Sequence, residues 1–299
     1  MEFRQIRYFL EIYKQGSFSK AASSLGLTQP ALSRQIAVLE KELKQSVFDR
    51  NTRQLSLTEA GRRLLEKAVK LQDLWQETVE SVSSLETRNG KAARIQGDFR
   101  ISTGGTIAAY VLPQMIKKLR KAHPDLTLQI IEGDLRTSRE AVIWGDADLG
   151  ILTEEEYHSE LEYRSFLEDE IVPVAAINHP LASRKTKIKA RDLRNRDFVF
   201  YHPQSAIRRT VEAQLRKQDL LTHIQVSMEL RSVDAVIRSV EAGLGIGFVS
   251  RRSARGLAIL NCPELFARRR FSLCWRKSRP GLMNLVTALQ DFSPGNEET

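Results

Sequence analysis

Gln29, Ser33, Arg34 and Gln35 are hydrogen-bonding side chains gathered on the outward face of one short helical segment. Amide, hydroxyl and guanidinium groups of this kind reach base edges in a DNA major groove. The residues behind them, Ala31, Leu32, Ile36, Leu39 and Leu43, recur at helical spacing and give that segment an apolar face. A preceding segment places Phe18, Ala21, Ala22 and Leu25 on one side, and residues 26–28 break the pattern between the two. Ser17 and Thr28 stand where N-cap hydroxyls would satisfy the first-turn amides. Small Ala21 and Ala22 let the second helix cross closely over the first, so a helix-turn-helix is expected from Phe18 to Ala37. An ordinary helical hairpin with a polar face would show the same spacing.

The next fifteen residues narrow the choice. Residues 47–61, VFDRNTRQLSLTEAG, read as two short strands around a basic tip, then a helix capped at Thr58. The run RQIRYFLEIYKQGSFSKAASSLGLTQPALSRQIAVLEKEL, then FDR, then LTEAG, resembles the N-terminal pattern of LysR-type transcriptional regulators. The resemblance implies a winged DNA-binding domain. On it, Gln29, Ser33 and Arg34 would read bases, while Ser17, Thr28 and the amides near Pro30 would grip phosphate. Asn51 and Arg53, on the wing, would enter the adjacent minor groove.

Charge is distributed as that reading requires. Residues 1–70 carry 13 Lys and Arg against 7 Asp and Glu, a net +6. Residues 71–249 carry 24 against 26, a net −2, and residues 250–299 carry 9 against 4, a net +5. A basic first unit on a near-neutral body suits phosphate binding by one domain. The basic C-terminal segment, with Arg251, Arg252, Arg255 and the run Arg268-Arg269-Arg270, does not follow from that argument; a solvated surface is expected, with contact to DNA or to a neighbouring subunit as the alternatives. No apolar run approaches the roughly 20 residues that span a bilayer. The first residues also lack the layout of a signal peptide. Cys262 and Cys274 have no metal-binding spacing, so reduced thiols and a cytoplasmic location are expected.

Beyond the wing, Leu64, Ala68, Leu71, Trp75, Thr78, Val82 and Leu85 form a heptad seam on a long polar helix of about 40 Å. Pairing with a second copy would cover so narrow a stripe, and the resemblance implies the same dimerising linker. Two recognition helices would then meet two half-sites, giving an operator of approximate dyad symmetry. The resemblance also admits a homotetramer, with RNA polymerase as a further candidate partner.

From Asp98 onward, strand and helix patterns alternate, with an interruption near residues 160–170. Two α/β lobes with a cleft are expected, and the resemblance implies a periplasmic-binding-protein-like effector domain. The expected architecture is therefore a mixed α+β and α/β two-domain chain. Its parts are a winged helix-turn-helix over residues 1–58, a linker helix over 59–88, a hinge over 89–97 and the effector domain over 98–299.

In such sheets ligands sit beyond the carboxyl ends of strands, near helix N-termini. Four places qualify: Thr103, Gly104, Gly105 and Thr106; Thr153; His202 to Ser205, with Arg208 one turn further on; and Arg231 with Ser232. Hydroxyls near arginines favour an anionic small-molecule effector. Plain helix capping competes as an explanation for each threonine and serine.

Catalysis finds no support. There is no G-x-S-x-G elbow, no H-E-x-x-H and no C-x-x-C, and three of the five histidines merely precede proline. Gly243, Gly245 and Gly247 lead from a helix into a strand, the wrong order for a dinucleotide loop. Glu154, Glu155 and Glu156 read as a solvated loop. No catalytic residue, metal or cofactor is expected. The competing class, an α/β enzyme or binding protein with a helical protein-contact module, differs in one cheap respect: only phosphate binding must weaken steeply with salt.

Overall fold

The computed structural model describes residues 1–49, 55–83, 95–153, 157–184 and 186–294. The chain divides into two compact units, Met1–Gly90 and Lys91–Thr299.

In the first unit, apolar spacing buries one face of each of three helices, α1 (Phe3–Gln15), α2 (Phe18–Ser24) and α3 (Gln29–Leu43). Their shared core is Ile6, Phe9, Ile12, Ala21, Ala22, Leu32, Ile36 and Leu39. Ser17 accepts the Lys20 amide and Thr28 the Ala31 amide, so both hydroxyls cap as expected. Gly26 takes φ +66° in the turn between α2 and α3, a conformation that costs a residue with a Cβ. Strands β1 (Phe48–Asp49) and β2 (Ser56–Leu57) pair antiparallel as the base of the wing. The Phe48 ring lies 5.2 Å from Phe9 and 5.5 Å from Phe18, which ties the wing to the helices. Helix α4 (Glu59–Ser83) begins behind Thr58, whose hydroxyl accepts the Gly61 amide at 3.0 Å and donates to the Ser46 carbonyl at 2.6 Å. A Cβ on Gly61 would collide with the Val47 carbonyl, so only glycine lets α4 lie this close to the wing.

The second unit holds two large cores and a smaller cluster of Val142, Ala147, Leu152, Leu161 and Cys274. The first lobe contains β3 (Gly97–Thr103), α5 (Gly105–Tyr110), α6 (Leu112–Ala122), β4 (Leu126–Glu132), α7 (Leu135–Ile143), β5 (Leu149–Thr153) and α10 (Met283–Asp291). The second contains β7 (Asp197–Tyr201), α8 (Ala206–Lys217), β8 (Gln225–Leu230), α9 (Val233–Glu241), β9 (Gly247–Ser250) and β10 (Ala258–Ile259). Two long antiparallel strands, β6 (Leu161–Ala175) and β11 (Ala267–Arg276), run through both cores. Phe166 and Leu167 lie in the first core and Ile171 to Ala175 contribute to the second; Phe271, Leu273 and Trp275 lie in the first and Ala267 in the second.

The two lobes match expectation; three details do not. The helical segment after β3 is two helices and not one, because Pro113 cannot donate to the carbonyl four residues back. The sheet is mixed rather than parallel, in the order β10-β6-β11-β5-β3-β4, with β9 also on β6. Within the basic run, Arg268 and Arg270 are exposed but the Arg269 side chain is nearly buried; the run lies in β11, in register opposite Glu170, Asp169 and Glu168 of β6. Those six residues occupy the stretch of β6 and β11 between the two cores.

Candidate functional site

On the first unit, α3 buries Leu32, Ile36 and Leu39 and leaves Gln29, Pro30 and Arg34 exposed, with Ser33 and Gln35 half-buried. Gln29 accepts a 2.9 Å hydrogen bond from the Ser19 hydroxyl of α2, which fixes the start of α3 against its neighbour. Arg34 Nε donates to the Pro30 carbonyl at 3.3 Å, laying the guanidinium along its own helix. Asn51 and Arg53, expected on the wing tip, lie outside the described residues.

Along α4 the expected seam splits. Ala68 is buried within its own domain, beside Leu65, so it is a core residue and not part of an open stripe; Leu64 is half-buried. Leu71, Trp75 and Val82 are 39%, 55% and 60% exposed, joined by Leu74 and Val79. The Trp75 ring also stands 5.0 Å from that of Phe3. Leu85 lies outside the described residues.

In the second unit, the carboxyl ends of β3, β4, β5 and β7 and the N-terminal turn of α8 surround a cavity of about 430 Å³. From the first lobe come Gly104, Gly105, Thr106, Glu132, Gly133, Asp134 and Thr153; from the second come Tyr201, His202, Gln204, Ser205 and Arg231. Arg269, from the connecting strand β11, also lines it. Its Nε lies 2.8 Å from Asp169, and its Nη2 donates to the Thr106 hydroxyl at 3.2 Å. Asp169 also accepts the Ser250 hydroxyl at 2.6 Å. At the same cleft, Tyr110 of the first lobe donates to Asp234 of the second at 2.6 Å. Burial and that carboxylate push the Tyr110 phenol up to about 12.

Several polar groups facing the cavity are unspent. The Tyr201 hydroxyl and Thr153 Oγ1 are buried without a hydrogen-bond partner among the described residues. Burial pushes the Tyr201 phenol well above its ordinary value, so it stays a neutral O–H. His202 Nδ1 accepts the Gln204 amide at 3.4 Å. Arg231 Nη2 lies 3.3 Å from His202 Nε2, within hydrogen-bond reach. Ser205 precedes the 12-residue helix α8 and makes no side-chain cap. An acceptor-rich group placed here would satisfy them together.

Both units match known protein families. Residues 3–62 match the family described as "Bacterial regulatory helix-turn-helix protein, lysR family", and residues 92–293 match the LysR substrate binding domain. The chain belongs to the LysR family of transcriptional regulators. A probable RuBisCO transcriptional regulator of Synechocystis sp. is 35% identical over 250 residues, spanning 82% of this chain and 70% of that protein. Full-length OxyR from Pseudomonas aeruginosa has the same fold, with a TM-score of 0.69 at 19% identity over 98% of this chain and 94% of that one. The regulatory domain of Synechocystis CcmR, solved in complex with 2-PG, aligns with a TM-score of 0.60 at 21% identity over 67% of this chain and 99% of that one. This LysR-type chain is thus a DNA-binding transcriptional regulator with an effector-binding domain, and not an enzyme.

Of the effector residues expected from sequence, Gly104, Gly105, Thr106, Thr153, His202 and Ser205 line the cavity. Thr103, Arg208 and Ser232 do not, and each is occupied elsewhere. The Thr103 hydroxyl is buried and donates to the Ile151 carbonyl at 2.8 Å. Arg208 is held by Glu212 at 2.7 Å and Glu229 at 2.5 Å, over the Phe200 ring. Ser232 caps α9 by accepting the Ala235 amide. Sequence reasoning misses Glu132, Asp134, Tyr201 and Arg269. Glu132-Gly133-Asp134 ends β4 at the same sheet edge as the four expected places, so the strand-end rule could have found it. Arg269 carries no local signal. Among the described residues, no group of His, Cys, Asp and Glu side chains is placed to hold a metal, and no helix is long and apolar enough to cross a membrane.

Proposed function

We propose that this regulator works in the cytoplasm as a homodimer at least, binds operators of approximate dyad symmetry, and answers to a small anionic effector without any further cofactor. Gln29, Ser33 and Arg34 read bases, while Ser17, Thr28 and the first-turn amides near Pro30 hold phosphate. The exposed apolar stripe of Leu71, Leu74, Trp75, Val79 and Val82 supports pairing through α4, since an open stripe of this kind is covered by an identical helix at little cost in specificity.

One observation carries the effector reading: the Arg231 guanidinium, His202 and the unpartnered Tyr201 hydroxyl line one cavity together. Anions gain charge-assisted hydrogen bonds there, and α8 adds its free first-turn amides. The solved CcmR regulatory domain, with its bound 2-PG, supports a small ligand in a domain of this fold. Occupancy across the lobe boundary would alter lobe geometry and hence the spacing of the DNA-binding units and the bend they impose.

A thermal-shift screen of the full chain against small carboxylates, organic phosphates, amino acids and inorganic oxyanions tests this. A ligand at a hundredfold over its Kd stabilises by about 2.7 kcal/mol. Arg231→Ala should remove the shift. A hit that is indifferent to Arg231→Ala, or silence across the panel with folded protein, would refute the anionic effector.

A further inference from the structure

We infer that the effector is a hydroxylated anion with a single acidic head: that head lies against Arg231 and His202, and hydroxyls on its carbon skeleton are read by Tyr201, Thr153 and Glu132. The inference rests on the anionic-effector reading above and adds the hydroxyls.

The cavity is polarised. Its second-lobe wall supplies the Arg231 guanidinium, with His202 beside it, and the amides that open α8. Its first-lobe wall supplies carboxylates, Glu132 and Asp134. Asp134 is partly spent, since Oδ1 accepts the Thr137 amide at 2.8 Å. Glu132 lies against the first turn of α5: a Cβ on Gly105 would stand 2.7 Å from Glu132 Oε1. A second acidic group on the effector would therefore meet a like charge on that wall. A hydroxyl would instead donate to Glu132.

Each wall also carries one orphan hydroxyl, Thr153 on the first lobe and Tyr201 on the second. Tyr201 is almost fully buried and its O–H has no partner among the described residues; Thr153 Oγ1 is likewise buried and unpartnered. An apolar or aromatic body would seal both groups off and leave them unpaired, together with Glu132. An effector hydroxyl both donates and accepts, so it serves a phenol, a threonine and a carboxylate alike. Sites built to bond a ligand hydroxyl discriminate strongly against the analogue that lacks it. Arg269 does not supply a second cationic subsite, because Asp169 already neutralises it at 2.8 Å. The head itself can be a carboxylate or a phosphate ester, which share this chemistry.

Isothermal titration of the full chain with matched probes separates the cases. The carboxylate pairs are glycerate with propionate and gluconate with hexanoate; the phosphate pair is glycerol phosphate with propyl phosphate. In at least one pair the hydroxylated member should bind about tenfold tighter or more, and the better pair identifies the head. Tyr201→Phe and Thr153→Val should each shrink that ratio while the deoxy probe keeps its affinity, a selective change that a general packing defect would not give. If deoxy and hydroxylated members bind equally, or both variants keep the full ratio, the hydroxyl inference is overturned and the anionic reading stands. If no probe binds the folded wild-type chain, both fall.

Discussion

Arg269 of β11 and Asp169 of β6 are paired at 2.8 Å in the stretch where the two connecting strands lie between the lobe cores. Their side chains are only 7% and 1% exposed. Three ties meet there: Asp169 takes the Ser250 hydroxyl from β9, Arg269 reaches Thr106 on α5, and its guanidinium covers the Phe271 ring at 4.7 Å. Breaking one partner strands a buried charge. Arg269→Met should therefore cost about 3–5 kcal/mol. Adding Asp169→Asn to it should recover part of that loss, because the orphaned charge disappears. Urea unfolding of the single and double variants decides it. A single variant as stable as wild type would mean that the pair is solvated rather than buried.

Arg34→Ala should weaken operator binding by about 1–3 kcal/mol and relax preference at one base position. Ser17→Ala should act differently. It removes a helix cap, costing about 1 kcal/mol of stability, and weakens all sequences alike because its DNA partner is phosphate. Fluorescence anisotropy on an operator and its single-base variants, at two salt concentrations, separates base contact from phosphate contact. Unchanged base preference in Arg34→Ala would remove α3 from base reading.

These DNA-facing features are legible in the sequence because they are local. Ser17, Gly26 and Thr28 act on amides within three residues of themselves or through their own φ, so residue type and position suffice. The cavity is legible only at strand ends. Thr103 shows the limit: a threonine at the end of a strand can face a ligand or a neighbouring backbone. The parallel register with β5 decides for the Ile151 carbonyl, and no local pattern encodes that register. Asp169 and Arg269 lie 100 residues apart, so a basic run gives no hint that one of its members is buried beside the cavity. Ala68 fits the heptad spacing yet faces its own domain, since periodicity names a face but not its partner.

The exposed end of the α4 stripe makes its own prediction. Leu71→Glu and Val82→Glu should each shift the chain toward monomer in sedimentation, because a carboxylate in an apolar seam is buried without a partner. Trp75 is the poorer test, since its ring also contacts Phe3 and its loss would disturb the domain. Both variants should keep the thermal transition of the effector domain. An unaltered oligomer in both would mean that α4 does not carry the association.

Cys262 and Cys274 are buried thiols, and burial pushes them up to about 11 and about 12. The thiolate is the nucleophile, so both should be inert in the native state. A chromogenic disulfide reagent should label neither cysteine in the folded chain and both in denaturant; rapid native labelling of either would contradict this. The same shift sets a stability profile. The native chain holds these protons more tightly than the unfolded chain, whose thiols ionise near 9.0. Stability is therefore unaffected by the thiols below about pH 9, and falls as pH rises from there through the folded value. For Cys274 the slope approaches about 1.4 kcal/mol per pH unit. Cys274→Ala should flatten the alkaline limb measured by denaturant titration between about pH 8 and pH 11, while leaving the neutral limb's shape unchanged.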